Sequence, residues 1–281
     1  MATLSELMTP RPVGTGYQLD VPEGWRQGRG AFGGLVVGAL IRAIELRMAD
    51  PARKVRSVTA EIPGPVEHGT VDIAVEVLRH GKNVSTARAA LSQHGEIRSH
   101  AVAILGADRG AAAADGLASP ASPASPAWPA WNDLSRPEAP SWTQLAPIGF
   151  GDRPGPWPEF ARNFEFRLVE GAPASGGAAR TVGWIRSRDP GPARDASYIA
   201  AMIDAWWPAA VVRLTRMRPM ATIAFTLEIA GGVDGLDPEA PLLYRGRAPV
   251  SGDGYCFETR ELWSEDGRLV ALNHQTFAII Q

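Results

Sequence analysis

The most constraining feature of this sequence is that one structural pattern occurs twice. Residues 78–105 and 248–280 each contain a turn, an alternating strand, a second tight turn and another strand. The turns fall at His80-Gly81 and His94-Gly95 in the first copy, and at Asp253-Gly254 and Asp266-Gly267 in the second. Because Asp-Gly between alternating runs is a strong hairpin signal, the pattern predicts paired antiparallel strands in both places.

The spacing of the two copies predicts two domains. Gly95 and Gly267 occupy the same place in the pattern and lie roughly 170 residues apart, whereas solenoid repeats recur every ~20 to 50 residues. A chain of 281 residues is long enough for two domains. We therefore expect an N-terminal domain at 1–106, a linker at 107–158 and a C-terminal domain at 159–281.

The linker is rich in Ala, Pro and Ser, a composition typical of a connecting segment. It also carries Trp128, Trp131, Trp142 and Trp157. A solvated tether does not need tryptophans, so part of the segment is expected to pack on a domain. It would either anchor the crossing chain or cover a ligand pocket.

Each copy is preceded by one apolar helix. Residues 32–48 place Leu35, Leu40 and Ile44 at helical spacing and end before Asp50-Pro51. In the second copy Asp195 is a candidate N-cap for a helix that runs to Trp206. Flanking strands are predicted at 55–62, 163–169, 181–186, 220–229, 242–247, 255–263 and 269–280. An apolar helix wrapped by a curled antiparallel sheet, repeated once, predicts an α+β double hotdog arrangement.

Composition excludes several classes of function and one structural feature. The formal net charge is -2, and no basic patch favours nucleic acid. We find no long apolar run and no signal-peptide pattern, so we expect a cytoplasmic protein without membrane insertion. The single cysteine, Cys256, excludes an intramolecular disulfide.

Several motif classes are also excluded. The string GxGxxG at 28–33 does not follow a buried strand, so dinucleotide binding is not expected. The chain contains no GxSxG, HExxH or GxxxxGK[ST] string, and its five histidines lack the spacing of a helical metal site. We therefore expect no metal and no cofactor.

Five positions remain as candidates for chemistry. Gly33 and Gly34 open a buried helix, where free backbone N–H groups can polarise a carbonyl or hold an anion; the alternative is that they allow close packing. Asp204 lies near the end of an apolar helix, where burial would raise its pKa and make it a candidate base. Thr222 and Gln275 are polar residues of predicted strands, and each alone also has an ordinary structural explanation.

Together these residues resemble the acyl-CoA thioesterase II family of double hotdog hydrolases. AFGGLVVGALIRAI at 31–44 is similar to the opening helix of that family, although Leu35 stands where the family has glutamine. The family's aspartate, threonine and glutamine fall on Asp204, Thr222 and Gln275.

The resemblance implies hydrolysis of an acyl thioester of coenzyme A or acyl carrier protein by a water molecule, without a covalent acyl-enzyme. Asp204 would activate the water, Thr222 and Gln275 would hold it, and the backbone around Gly33, Gly34 and Leu35 would bind the substrate and stabilise the oxyanion. Only one site per chain is expected, because Ala103 falls where Gln275 lies in the other copy. Trp206 and Trp207, beside Asp204, would shape an acyl pocket or pack in the core.

Two alternatives stay open. Leu35 favours a non-catalytic acyl-thioester-binding or assembly module with the same fold. A hotdog dehydratase or hydratase would need a histidine, such as His100 or His274, beside Asp204. With either function, exposed sheet edges predict a homo-oligomer.

Overall fold

The computed structural model describes residues 2–107, 131–150, 157–237 and 239–280. The helices are α1 (Leu4–Leu7), α2 (Gly33–Met48) and α3 (Ala196–Asp204). The strands of the first half are β1 (Arg11–Val13), β2 (Gly16–Val21), β3 (Arg26–Gln27), β4 (Gly30–Ala31), β5 (Arg53–Glu61), β6 (Gly69–His80), β7 (Val84–Gln93) and β8 (Glu96–Ala107). Those of the second half are β9 (Phe164–Glu170), β10 (Arg180–Ser187), β11 (Met220–Ile229), β12 (Leu242–Gly252), β13 (Tyr255–Trp263) and β14 (Leu269–Ile279).

Twelve of these strands form one continuous antiparallel sheet. Their order is β1-β2-β6-β7-β8-β5-β11-β14-β13-β12-β10-β9. The two central strands, β5 and β11, pair through positions such as Ala60 with Phe225 and Val58 with Leu227. The double hotdog prediction is confirmed, and the two predicted sheets are the halves of a single sheet. Because β5 and β11 pair with each other, only β1 and β9 remain as edges of this sheet. A homo-oligomer stays a prediction.

The two halves are related by an approximate two-fold symmetry. Reading outward from the centre, both halves have the same strand order, and the β5–β8 and β11–β14 ladders each contain one register shift. The shift lies between Val55 and Ser57 in the first half and between Thr222 and Ala224 in the second. This common feature makes Val55 equivalent to Thr222 and, through the paired strands, Ala103 equivalent to Gln275.

The helices α2 and α3 pack against each other, and two glycines allow the contact. A Cβ atom on Gly34 would lie 2.9 Å from Cα of Ala201, and one on Gly38 would lie 3.1 Å from the Ser197 carbonyl oxygen. Such distances exclude larger side chains unless a backbone moves. The crossing brings the first turn of α2 next to the last turn of α3.

Most predicted element ends are confirmed. Asp195 caps α3 by accepting a hydrogen bond of 3.1 Å from the Tyr198 backbone N–H. Ala49, in the left-handed region at φ 49°, ends α2 before the Asp50-Pro51 pair. The sequence prediction missed β1, β2 and the first part of β6. These strands pair with one another at the N-terminal edge of the sheet, and their alternation is short and interrupted by Gly14, at φ 57°.

Part of the predicted linker packs on the second half, as expected. Trp142 is buried against a second apolar cluster formed by Val182, Trp184, Leu243 and Trp263. Neighbouring residues such as Ile185, Leu242 and Tyr244 belong to the main core instead. Because side chains alternate across a strand, Trp142 covers the face of the sheet that points away from α3. Trp128 lies outside the described residues.

No helix in the described ranges combines the length and apolar character needed to cross a membrane.

Candidate active site

Three polar residues predicted from the sequence meet where α3 ends. Asp204 is the last residue of α3, and only 7% of it is exposed. Its Oδ1 atom accepts a hydrogen bond of 2.8 Å from Nε2 of Gln275 on β14. The hydroxyl of Thr222 on β11 donates a 3.0 Å hydrogen bond to Oε1 of the same glutamine. The adjacent strands therefore supply an ordered chain of hydrogen bonds that ends on a buried carboxyl group.

The first turn of α2 lies on the other side of this carboxyl group. A Cβ atom on Gly33 would be 2.9 Å from Oδ2 of Asp204, so only glycine at this position leaves room for the carboxylate where it is observed. The Gly34 backbone N–H donates a hydrogen bond to the same carboxyl group. Gly33 and Gly34 thus bring a helix N-terminus of the first half to a side chain of the second.

Leu35 is fully buried in the main core. Its backbone N–H is already bonded to the Phe32 carbonyl oxygen at 3.1 Å. Because that amide is occupied, Leu35 offers only apolar surface to the surroundings of the site.

A buried charged network supports Asp204, and the sequence analysis missed it. Nη1 of Arg260 lies 3.6 Å from Oδ1 of Asp204 and donates a 3.0 Å hydrogen bond to the Ile203 carbonyl oxygen. Nε of Arg260 donates to Glu258 at 2.9 Å, and the same carboxylate accepts from the Tyr244 hydroxyl at 3.1 Å. The phase of β13 could have revealed this network, because Glu258 and Arg260 lie on the same face of the strand as the buried residues Cys256 and Leu262.

Two effects on the pKa of Asp204 oppose each other. Burial is the larger effect and raises the pKa above its ordinary value. The charge of Arg260, the hydrogen bond from Gln275 and the Gly34 amide lower it, in that order of size. The net direction is upward, which gives Asp204 a greater proton affinity than a solvated aspartate and suits it to accept a proton.

The equivalent strand positions of the first half lack these polar side chains. Ladder pairing makes Ala103, Ala101, Ala87 and Ala89 the counterparts of Gln275, Asn273, Glu258 and Arg260. All four alanines are buried. Val55, the counterpart of Thr222, lines a cavity of about 620 Å³ between the end of α2 and the start of α3. Only the second half therefore carries the polar set.

The tryptophans next to Asp204 differ in environment. Trp206 is fully buried, donates a 2.9 Å hydrogen bond to the Thr181 hydroxyl and stacks on Tyr244. Trp206 therefore has a packing role. Trp207 is half-buried and contacts Trp157, which lies at the end of the predicted linker.

The histidines that would indicate dehydratase chemistry lie elsewhere. His100 pairs with Glu61 at 3.2 Å, and about half of each side chain is exposed. His274 precedes Gln275 on β14 and so points to the opposite face of the sheet. In the described ranges, no three His, Cys, Asp or Glu side chains form a group that could bind a metal ion.

Comparison with known families identifies the family of this chain. The acyl-CoA thioesterase N-terminal domain matches residues 21–106, and the acyl-CoA thioesterase C-terminal domain matches residues 118–279. The chain belongs to the acyl-CoA thioesterase family. This thioesterase is accordingly a thioester hydrolase. A sequence comparison with curated proteins gives no significant match.

Solved structures share the fold of this thioesterase over nearly its whole length. A hot dog fold protein of unknown function from Alicyclobacillus acidocaldarius is 21% identical, with a TM-score of 0.83 and coverage of 99% of this chain and 98% of that chain. A putative thioesterase II from Thermobifida fusca is 18% identical, with a TM-score of 0.80 and coverage of 100% and 98%. An acyl-CoA thioesterase II from Mycobacterium marinum is 21% identical, with a TM-score of 0.72 and coverage of 99% and 98%.

Proposed function

We propose that this thioesterase hydrolyses acyl-CoA at a single site per chain, with Asp204 as the base that activates water. The observation that carries the proposal is the hydrogen-bonded chain from Thr222 through Gln275 to the buried carboxyl group of Asp204. The chain contains no nucleophile-elbow motif, which is consistent with direct attack by water.

The two oxygens of Asp204 have different surroundings. Oδ1 already receives the Gln275 hydrogen bond and lies near Arg260. Oδ2 lies beside Gly33, at the start of α2. We therefore assign Oδ2 as the proton acceptor: it takes a proton from water as the water oxygen attacks the thioester carbonyl carbon. The C–S bond then breaks, and the thiol leaves with the proton that Asp204 returns.

The developing oxyanion needs donors, and the N-terminus of α2 supplies them. The backbone N–H of Gly33 and the partial positive charge of the helix end favour a negative oxygen at this place. One such donor commonly contributes about 3 kcal/mol to transition-state stabilisation. Since the Gly34 amide acts on Asp204, Gly33 is the donor we assign to the substrate.

The acyl group is expected to lie toward Trp207. This side chain is half-buried, contacts Trp157 and Phe166, and immediately follows the buried Trp206. Flat aromatic walls accept apolar or aromatic acyl groups. The thiol carrier can be coenzyme A or acyl carrier protein, because both present the same phosphopantetheine arm.

The test is thiol release from short, medium, long and aromatic acyl-CoA substrates, comparing the wild type with Asp204→Asn. Asparagine keeps the size of the side chain but cannot accept the proton, so we expect turnover to fall by about 100-fold or more. Asp253→Asn is the matched control, because it makes the same chemical change on the exposed β12–β13 hairpin.

The outcomes separate the alternatives. Equal turnover by the wild type and Asp204→Asn would exclude Asp204 as the base. Binding of acyl-CoA without turnover by the wild type would favour the non-catalytic acyl-binding module, unless the same acyl group on acyl carrier protein is hydrolysed.

A further inference from the structure

The duplication provides an internal control for the buried charges below α3. Both halves build the same antiparallel layer under a central helix. In the first half the four inward positions are alanines, whereas the second half has Gln275, Asn273, Glu258 and Arg260. Since the first half folds with alanine at these positions, the fold does not require polar groups there.

Burial of these charges is costly. Arg260 is 1% exposed and Glu258 is 2% exposed. Desolvation of a buried ion pair offsets much of its Coulomb attraction, and well-packed apolar residues often replace such a pair without loss of stability. The second half therefore contains this charged pair, which the first half lacks, for a reason other than stability.

The contacts of Arg260 converge on the last turn of α3. Nη1 donates to the Ile203 carbonyl oxygen at 3.0 Å and to the Asp204 carbonyl oxygen at 3.4 Å, and it lies 3.6 Å from the Asp204 carboxylate. These carbonyls have no partners within the helix, and the negative end of the helix dipole lies here. Arg260 thus fixes both the backbone and the side chain of one residue.

Glu258 holds Arg260 in this position. Its Oε1 accepts from Nε of Arg260 at 2.9 Å and from the Tyr244 hydroxyl at 3.1 Å, and its Oε2 accepts from the Ala209 backbone N–H at 2.7 Å. The guanidinium also lies 5.7 Å from the Tyr244 ring centre and 5.3 Å from the Phe277 ring centre. The arginine is therefore restrained on several sides.

From this arrangement we propose that Arg260, oriented by Glu258, is a positioning residue for the hydrolysis that Asp204 performs. It holds the last turn of α3 so that the carboxylate faces Gly33, and its charge favours the ionised form of Asp204 at neutral pH. The inference rests on the proposed function of Asp204.

Within the described part of the chain, few titratable groups surround Asp204. Arg260 and Glu258 face it from β13, Tyr244 lies next to them on β12, and the adjoining positions of α2, β11 and β14 are Gly33, Gly34, Thr222 and Gln275, which do not titrate. The charge of Arg260 lowers the pKa of Asp204 against the upward effect of burial. Removing that charge must therefore raise the pKa further, so that the base becomes active only at higher pH.

The experiment compares the pH profiles of kcat/KM for the wild type, Arg260→Lys, Glu258→Gln and the double variant Arg260→Met/Glu258→Gln. The double variant removes both buried charges together, so that neither carboxylate nor guanidinium is left alone at positions 258 and 260. We expect its acidic limb to move up by at least ~1 pH unit, which lowers kcat/KM about tenfold at pH values on the acidic side of the limb. KM should change less than kcat, because Arg260 contacts Asp204 and not the substrate.

The single variants separate charge from packing. Glu258→Gln keeps the arginine charge, so its acidic limb should not move up. Arg260→Lys keeps the charge but not the fork of donors, and it should restore most of the limb position while lowering the pH-independent kcat. Folded fraction is measured by circular dichroism for every protein.

A wild-type pH profile in the folded double variant would overturn the inference and leave Arg260 with a structural role only. Asp204→Asn is measured in the same series. If it retains turnover, the proposed base has failed; if it loses turnover while the double variant keeps the wild-type profile, only the role of Arg260 has failed.

Discussion

The side-chain amide of Gln275 donates a 2.8 Å hydrogen bond to Oδ1 of Asp204, across 71 residues of sequence. Thr222 fixes the orientation of this amide by donating to Oε1, and Asn273 accepts a second hydrogen bond from Nε2 at 3.0 Å. The amide therefore has one favourable orientation, in which it donates to the carboxylate. Hydrogen-bonded side chains of this kind act as a unit, so they should not contribute independently to kcat/KM.

Thr222→Val and Gln275→Ala are expected to be strongly coupled. Valine at position 222 removes the hydroxyl that orients the amide, and alanine at position 275 removes the amide itself. Each single change should therefore lower kcat/KM about tenfold or more. The double variant should be little worse than Gln275→Ala, because without the amide Thr222 has nothing to orient. Steady-state kinetics at matched folded concentration measure the coupling. Thr226→Val is the matched control, because Thr226 lies on the same strand beyond the register shift and faces away from Asp204. Additive losses would show that threonine and glutamine act separately.

Gly33→Ala and Gly34→Ala should have different effects. The Cβ atom at position 33 would lie 2.9 Å from Asp204 Oδ2, so the carboxylate must move, and we expect kcat to fall about tenfold or more with little change in stability. At position 34 it would lie 2.9 Å from the Ala201 backbone, which cannot yield easily. We expect that variant to lose about 1 to 3 kcal/mol of unfolding free energy. Urea denaturation and kcat are measured for both; an active Gly33→Ala enzyme would contradict the assigned geometry.

Glu45 should make stability depend on pH. Burial raises its pKa from 4.5 to about 7, with a smaller contribution from Asp195, while Arg42 and Lys54 oppose the shift. Because the folded state binds this proton more tightly than the unfolded state, the stabilisation is complete below about pH 4.5 and is lost as pH rises through 7. Relative to Glu45→Gln, the wild type should lose on the order of 3 kcal/mol between pH 4 and 8. Chemical denaturation at several pH values measures the difference. Parallel plots of unfolding free energy against pH for the two proteins would contradict the raised pKa of Glu45.

Trp142→Ala should weaken the fold and leave the chemistry unchanged. The indole is buried on the outer face of the sheet, and the guanidinium carbons of Arg167 and Arg186 lie 4.0 and 5.1 Å from its ring centre. Its loss should cost about 3 kcal/mol of unfolding free energy. Because α3 is on the other face, kcat/KM of the folded fraction should stay at the wild-type value. Trp131→Ala, at an exposed tryptophan, is the control; a selective loss of activity in Trp142→Ala would indicate a lid function instead.

Local sequence patterns were sufficient for most secondary structure. The hairpin at Asp253-Gly254 needs two successive residues in the left-handed region, and the pair has φ values of 53° and 82°. Asp204 could be recognised as a candidate because a carboxyl group in an apolar helical run is costly to bury without partners. Glu258 and Arg260 escaped notice because each charge looks ordinary until the strand phase and the covering helix are known.

The sequence alone determined the duplicated pattern, the two apolar helices and the residue types available for chemistry, because these depend on periodicities of a few residues. Only the tertiary structure decided that β5 and β11 join the halves, that Gly33 faces Asp204 and that Arg260 supports the last turn of α3. Those contacts connect residues far apart in the chain. They depend on strand register and helix crossing, which are set by the packing of the whole molecule.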